Sequence, residues 1–384
     1  MHGAFEKRTA GFQHRLVDAG IDIALVTDPD TIYYLSGVFG YLGVEFGRPT
    51  VLVVPRDGAP TLITPLMEAE MVSALTWVGD VRPWADGIDG EWGTHLCDLI
   101  GDGGRLTLGV ERLQIPALVS AWLRDALGTA PIADVSGILA DMRLIKGRDE
   151  IAVMRQAGQV AVAMVEAAEA AIAEDVPEYE VALAVIAGGT RKAAELLSDE
   201  GLDRFVSPTI YNLQILQSGH DTSMVHRRST VRRLGRGDPV YLCFCGITNF
   251  KQVKLGFDRE FFVGEVSDEH ARIYQATVAA QAAALAAIHP GVTAEEVHAA
   301  AEESYGASGF ETGYRTGRGI GYSFLEKPQI KHGDTTALAP GMTLAIDGGI
   351  TVPGEFGARV GDSIVVTDTG YEYLTPYPKD LKVL

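Results

Sequence analysis

The chain has 384 residues, 47% hydrophobic and 22% charged, with 51 acidic against 32 basic side chains and a formal charge of −19. That length suits two domains of ordinary size, and the balance describes a globular protein with a full core. So acidic a surface argues against a nucleic-acid partner, whose phosphates demand basic groups.

In chain order, the opening segment is helical, and IDIALVTD (21–28) and TVLVVPRDG (50–58) follow as strands. PALVSAWLRDAL (116–127) is a predicted helix, and near 140–150 the pattern changes to a long amphipathic helix in which Ile151, Met154, Ala157, Ala161, Met164, Ala168 and Ile172 recur at helical spacing. Helices are predicted over 150–174, 178–197, 267–288 and 294–305, and β structure over 238–264, 310–326, 343–352 and 357–367. An α+β fold follows, with a first domain over 1–140 and a second over 141–384 whose helices cover one face of a curved antiparallel sheet. The longest apolar stretch, Thr277–Ile288, is Ala-rich and well short of the roughly 20 residues of a membrane span. The N-terminus lacks the apolar core of a signal peptide. Cys97, Cys243 and Cys245 form no disulfide framework or zinc spacing, so a reducing cytoplasm is the expected location.

Four stretches carry chemistry. In SGHDTSMVHRRST (218–230), His226 has the right ordinary titration range for proton transfer near neutrality, although a lone histidine is more often structural or solvated. In VYLCFCGITNFKQVKLGFDREFFVGE (240–265), alternation puts Tyr241, Cys243 and Cys245 on one face, and Gly256, Asp258 and Glu260 share another. Two acids on one face could serve His226 in proton transfer, or could simply be solvated; the cysteines suit small buried fillers. Asp347 in AIDGGI stands inside an apolar strand, where a carboxylate needs a cation or a raised pKa, and Asp362 in RVGDSIVV is similar. The last stretch is TGRGIGYSFLEKP (316–328). A dinucleotide loop would lead from its glycines into a helix, whereas YSFLEKP reads as β ending at Pro328, so the glycines suit a bent strand in close packing.

Taken in order, these stretches resemble the pita-bread fold family of methionine aminopeptidase, prolidase, aminopeptidase P and creatinase. DPDTIYYLSG (28–37), MRLIKGRDEIAVMRQA (142–157), the Ser218–His226 segment, FDREFFVG (257–264), GRGIGYSFLEKP, IDGGI and GARVGD all fall in the family's sequence, covering nearly the whole chain. The resemblance implies a creatinase/prolidase-type α/β domain followed by a pita-bread catalytic domain.

Metal-using members of that family hold two ions with two Asp, one His and two Glu. Anchored on Arg259, the matching positions here are Cys245, Gly256, Arg318, Asp347 and Gly361, and a further family histidine is Leu325. Only Asp347 retains an oxygen donor, so the resemblance implies no metal and no other cofactor. It points instead to the metal-free branch of creatinase and ectoine hydrolase, with His226, Asp258 or Glu260, and Asp347 as catalytic groups. Glu45-Phe46-Gly47-Arg48 is similar to creatinase's Phe-Gly-Arg, implying a homodimer in which Phe46 and Arg48 reach the partner's site. Arg48 and Arg318 would clamp a substrate carboxylate, bidentate geometry favouring Arg, with Tyr322 and Glu326 also at the substrate. The expected function is metal-independent hydrolysis of a C–N bond in a small carboxylated amidine, guanidine or amide. The alternatives are a metal-dependent Xaa-Pro peptidase with altered ligands and a non-catalytic pita-bread binding protein.

Overall fold

The computed structural model describes residues 2–39, 48–85, 91–101, 106–128, 130–202, 204–210, 215–224, 226–244 and 250–384. Phe46 and Cys245, both singled out above, lie outside them. The chain forms two compact units, Met1–Met142 and Arg143–Leu384.

The first unit begins with α1 (His2–Asp18) and contains β1 (Ile23–Val26), α2 (Pro29–Ser36), β2 (Val51–Pro55), β3 (Thr61–Pro65), α3 (Ala69–Leu75), β4 (Asp80–Trp84), α4 (Glu91–Ile100), β5 (Leu108–Val110), α5 (Ala117–Leu127), β6 (Ile132–Asp134) and α6 (Ser136–Arg143). Its described strands form a mixed sheet in the order β4-β3-β2-β1-β5-β6. The DPDTIYYLSG segment shows why α2 starts and stops where it does. Asp28 accepts from the Thr31 amide at 3.0 Å as N-cap, Pro29 supplies a pre-set first residue, and Gly37 closes the helix at φ 81°. Leu25, Val51, Val53 and Ile63 pack with Trp84, Trp92 and Leu96 to form the core of this unit.

The second unit contains α7 (Arg148–Ala171), α8 (Glu178–Asp199), β7 (Ile215–Ser218), β8 (Pro239–Cys243), β9 (Asp258–Phe262), α9 (Asp268–Ala286), α10 (Ala294–Ala307), β10 (Gly317–Gly319), β11 (Glu326–Ile330), β12 (Thr343–Val352), β13 (Phe356–Val366) and β14 (Tyr371–Tyr373). Its described strands form one sheet in the order β11-β10-β12-β13-β9-β8-β7, with β14 added to β13. The pairings within it are antiparallel.

Two apolar clusters fasten the helices to this sheet. Met154, Ala161 and Met164 of α7 and Val181 and Val185 of α8 meet Val240 and Leu242 of β8. Ala276, Ala280 and Ala284 of α9 and Val297 and Ala301 of α10 meet Leu344 and Ile346 of β12 and Ala358 and Ile364 of β13. Since side chains alternate along a strand, this packing turns Tyr241, Cys243, Asp347 and Gly361 toward the other face. That face holds the candidate site.

The α+β architecture and the helices at 148–171, 178–199, 268–286 and 294–307 agree with the sequence pattern. Two expectations are corrected. Of the β structure expected over 310–326, only Gly317–Gly319 and the first residue of β11 are strand, and residues 310–316 are irregular. Pro328 does not end a strand that follows the glycines: residues 320–325 form an irregular turn, and Pro328 lies within β11. The glycines themselves answer to close packing. A β-carbon on Gly317 would meet the Ala345 carbonyl oxygen at 2.3 Å, and one on Gly319 would meet that of Lys327 at 2.1 Å. Strand β10 is pinched between its neighbours and only glycine lets it pass.

Candidate functional site

Strand register assembles the site. Asp258 on β9 stands opposite Gly361 on β13, which stands opposite Asp347 on β12. Arg318 on β10 stands opposite Ala345, one alternation from Asp347 on the same face. Tyr241 and Cys243 on β8 stand opposite Glu260 and Asp258. Five strands thus converge on one cluster, although the residues are spread from 241 to 361.

The centre is an ion pair. Arg318 Nη1 donates to Asp347 Oδ2, with the two side chains 1% and 17% exposed. The same guanidinium donates from Nε to the Phe324 carbonyl at 3.1 Å and lies 4.4 Å over the Phe324 ring, a cation–π arrangement. Two glycines make room for it. A β-carbon on Gly256 would lie 3.2 Å from Arg318 Nη2 and 2.5 Å from Ala345 Cβ. One on Gly361 would lie 2.4 Å from Asp258 Oδ2 and 3.0 Å from Asp347 Cβ. Ser363 holds Gly256 in place, accepting from its amide at 3.0 Å and donating to its carbonyl at 2.8 Å.

The two acids of β9 differ. Asp258 is pushed up to about 6, chiefly by burial and then by the Asp347 charge, against hydrogen bonds from Cys243 and Tyr241 and the positive Arg318. Glu260 is 1% exposed and raised well above the ordinary carboxylate range by burial, which Arg359 only partly offsets. Its Oε2 accepts from the Arg359 amide at 3.3 Å, and its Oε1 has no hydrogen-bond partner among the described residues. Burial thus disfavours the charged form of both acids, with the Asp347 charge adding to it at Asp258 and Arg359 partly opposing it at Glu260.

The other expected site residues lie as follows. His226 is exposed, just beyond the 3₁₀ turn Gly219–Ser223, and makes no hydrogen bond or ion pair among the described residues. Tyr322 donates to Glu150 at 2.9 Å, and the buried Glu326 pairs with Lys146 at 2.5 Å. Burial raises Glu326, but Lys146 and Arg143 outweigh it and hold the carboxyl below its ordinary value. Both residues are thus engaged at the start of α7. Arg48 is half-buried in the first unit. Arg318, expected to clamp a substrate carboxylate, is already spoken for by Asp347.

Sequence reading passed over Tyr241 and Arg359. Tyr241 Oη donates to Asp258 Oδ1 at 3.0 Å. Arg359 is half-buried, lies 5.3 Å over the Tyr241 ring, and donates to the Thr222 carbonyl at 2.8 Å and Thr351 Oγ1 at 3.0 Å. Alternation had placed Tyr241 on a common face with Cys243; the missing information was which strand lay beside it.

These residues do not fit the pair of metal ions that the fold family uses. A guanidinium occupies the centre, and Gly256 and Gly361 offer no side-chain donor. Among the described residues, no group of three or more His, Cys, Asp or Glu stands close enough together to hold a metal ion. No described helix is long and apolar enough to cross a membrane.

Fold and sheet face together define a pita-bread enzyme with a creatinase-type N-terminal domain. The chain belongs to metallopeptidase family M24, which matches residues 152–368, and residues 8–145 match the creatinase/prolidase N-terminal domain. It is therefore a member of a hydrolase family. It is 33% identical to an agropine synthesis cyclase of Rhizobium rhizogenes, over 97% of this chain and 96% of that one. It is 32% identical to a probable dipeptidase PepE of Mycobacterium bovis, over 99% and 96%. The Xaa-Pro dipeptidase from Bacillus anthracis superposes with a TM-score of 0.83 at 24% identity, over 99% and 100%, a likeness of fold. These whole-chain relatives bear dipeptidase and cyclase names, where the sequence resemblance had singled out creatinase and ectoine hydrolase.

Proposed function

We propose that this protein is a metal-independent member of its family that cleaves a C–N bond in a small carboxylated substrate, at an amide, amidine or guanidine carbon, as creatinase- and ectoine hydrolase-like enzymes do. The observation that carries this is the buried Arg318–Asp347 pair flanked by Gly256 and Gly361. It puts a fixed positive charge and two missing side chains at the positions where metal-using relatives bind their ions.

Asp258 is the general base in this proposal. Its carboxylate takes a proton from water as the water oxygen bonds to the substrate carbon, then gives a proton to the nitrogen as the C–N bond breaks. Asp347, screened by Arg318, holds a cationic nitrogen of the substrate. Glu260, whose burial favours the neutral form, donates a hydrogen bond. His226 lies on an exposed segment and assists protonation of the leaving nitrogen once substrate is bound. Arg359 contacts the substrate carboxylate, with Phe46 and Arg48 of the partner subunit completing the site in a homodimer.

A second reading draws on the relative named as a cyclase. The same base would then take its proton from a hydroxyl or amine within the substrate, and ring closure would replace attack by water. Turnover of a panel of carboxylated amides, amidines and guanidines in H₂¹⁸O, read by mass spectrometry, tests both. The hydrolytic reading expects ¹⁸O in the carbonyl product. Release of the amine with no ¹⁸O incorporated favours cyclisation, and turnover of Xaa-Pro dipeptides alone sinks both.

A further inference from the structure

One buried carboxylate gathers both ends of the segment that leads from β7 toward β8. Glu178, at the start of α8, is fully buried. It accepts from Ser218 Oγ at 2.6 Å, from Arg227 Nη1 and Nη2 at 2.8 and 2.7 Å, and from the Thr230 amide and hydroxyl, each at 2.8 Å. Burial raises this carboxyl, but those hydrogen bonds outweigh it and hold it below the ordinary glutamate value. Arg227 also pairs with Asp221 at 3.1 Å, and Gln217 donates to the Asp221 and Met224 carbonyls at 2.9 and 3.1 Å. Between these anchors the chain makes the 3₁₀ turn Gly219–Ser223, whose Thr222 carbonyl accepts from Arg359 Nη1 at 2.8 Å. Thr222 Oγ1 accepts from the Gly357 amide at 3.2 Å, and a β-carbon on Gly357 would lie 2.2 Å from the Thr222 carbonyl oxygen. Glycine at that position lets the turn press closely on β13.

We infer that Glu178 is a positioning residue for substrate binding: through Ser218, Arg227 and Thr230 it fixes the Gly219–Ser223 turn, and the Thr222 carbonyl of that turn aims the Arg359 guanidinium at the substrate carboxylate. This rests on the proposed contact between Arg359 and that carboxylate. A second tether, from Arg359 Nη2 to Thr351 Oγ1 at 3.0 Å, comes from β12, so the planar fork is held from two sides. A fork fixed at two corners keeps one plane, and a carboxylate accepts two parallel N–H bonds only in that plane. The same guanidinium lies 5.3 Å over the Tyr241 ring, whose hydroxyl donates to Asp258. Glu178 touches no reacting atom. Its effect reaches the site face through the backbone of the turn.

The test compares full-length wild type with Glu178→Gln, which keeps the size of the side chain and removes its charge, once circular dichroism has confirmed the fold. Protein labelled with ¹⁵N-arginine reports Arg359 through its Nη signals, assigned by their loss in Arg359→Gln. The bonds to Thr222 and Thr351 slow rotation about Cζ–Nη, so wild type should give resolved Nη signals that broaden or merge in Glu178→Gln. Identical signals overturn the inference. This arm needs no substrate, so it stands or falls apart from the C–N cleavage reading. On an active substrate, Glu178→Gln should raise KM about tenfold with kcat within about twofold, as lost uniform binding does. With the substrate carboxylate replaced by a carboxamide, KM should be the same in both proteins to within about twofold. An equal rise on both substrates would reduce Glu178 to a structural part and overturn the assignment, as would an unchanged KM on the acid. Should Glu178→Gln not fold, Arg227→Lys, which keeps the charge but not the fork, takes its place with the same expected pattern in smaller amount.

Discussion

Two arginine–aspartate pairs lie within one strand step of each other in the same sheet, and they are built differently. Arg259, beside Asp258, donates to Asp362 Oδ1 at 2.7 Å and to the carbonyls of Asp258, Gly361, Tyr377 and Pro378 at 2.6–3.0 Å. Asp362 in turn accepts from Gln281 at 3.1 Å and pairs with Lys379 at 3.3 Å. That pair is tied to backbone at every turn and holds β9, β13 and the C-terminal segment together. Arg318–Asp347 has glycines for neighbours and a second acid, Asp258, beside it with a raised pKa. A pair that serves folding is saturated with hydrogen bonds, whereas this one carries an extra titrating charge, as functional sites do.

The contrast can be broken by substitution. Asp258→Asn should lower kcat/KM by about 10²–10⁴-fold, the usual size of a general-base contribution. The variant should stay folded by circular dichroism, and near-normal turnover would remove Asp258 from the mechanism. Arg259→Met leaves Asp362 buried without its main partner and should cost about 3–5 kcal/mol in denaturant unfolding. A loss under about 1 kcal/mol would show that the helix-side pair is no more structural than the other.

The pH dependence sharpens the same point. Asp258 is an acid whose folded pKa, about 6, exceeds its unfolded value. Between those values the folded state holds the extra proton, so the group favours folding at low pH and that contribution is lost as pH rises toward about 6. Activity should run the opposite way, kcat/KM rising with pH around a midpoint near 6 as the base form appears. Asp258→Asn should therefore lose most of its activity yet be more stable above pH 7, by about 3 kcal/mol. A variant less stable than wild type there would mean that the charge at Asp258 is well compensated. The smallest effect is expected at His226. With no partner among the described residues, His226→Ala should leave stability within about 0.5 kcal/mol, while turnover falls about tenfold if it assists the leaving nitrogen. Unchanged turnover would confine proton transfer to Asp258.

Much of this was legible in the sequence because strands alternate. Placing Asp258 with Glu260 on one face of β9 and Asp347 inside an apolar strand required only period two. The glycines around Arg318 were readable as close packing. What alternation does not carry is register between distant strands. Tyr241 against Glu260, and Gly361 between Asp258 and Asp347, depend on pairings set by the whole sheet. For the same reason Tyr322 and Glu326 looked available for substrate, though their partners Glu150 and Lys146 lie more than 170 residues earlier. Pro328 looked like a strand end because its missing amide rules out only one side of a ladder.

Metal content tests the central claim most directly. Purified protein would be incubated with Mn²⁺, Co²⁺ and Zn²⁺, dialysed, and analysed by inductively coupled plasma mass spectrometry, with turnover followed in EDTA. The Arg318–Asp347 arrangement calls for metal well below one equivalent per chain and activity indifferent to the chelator. One or two bound equivalents with chelator-sensitive activity would contradict it.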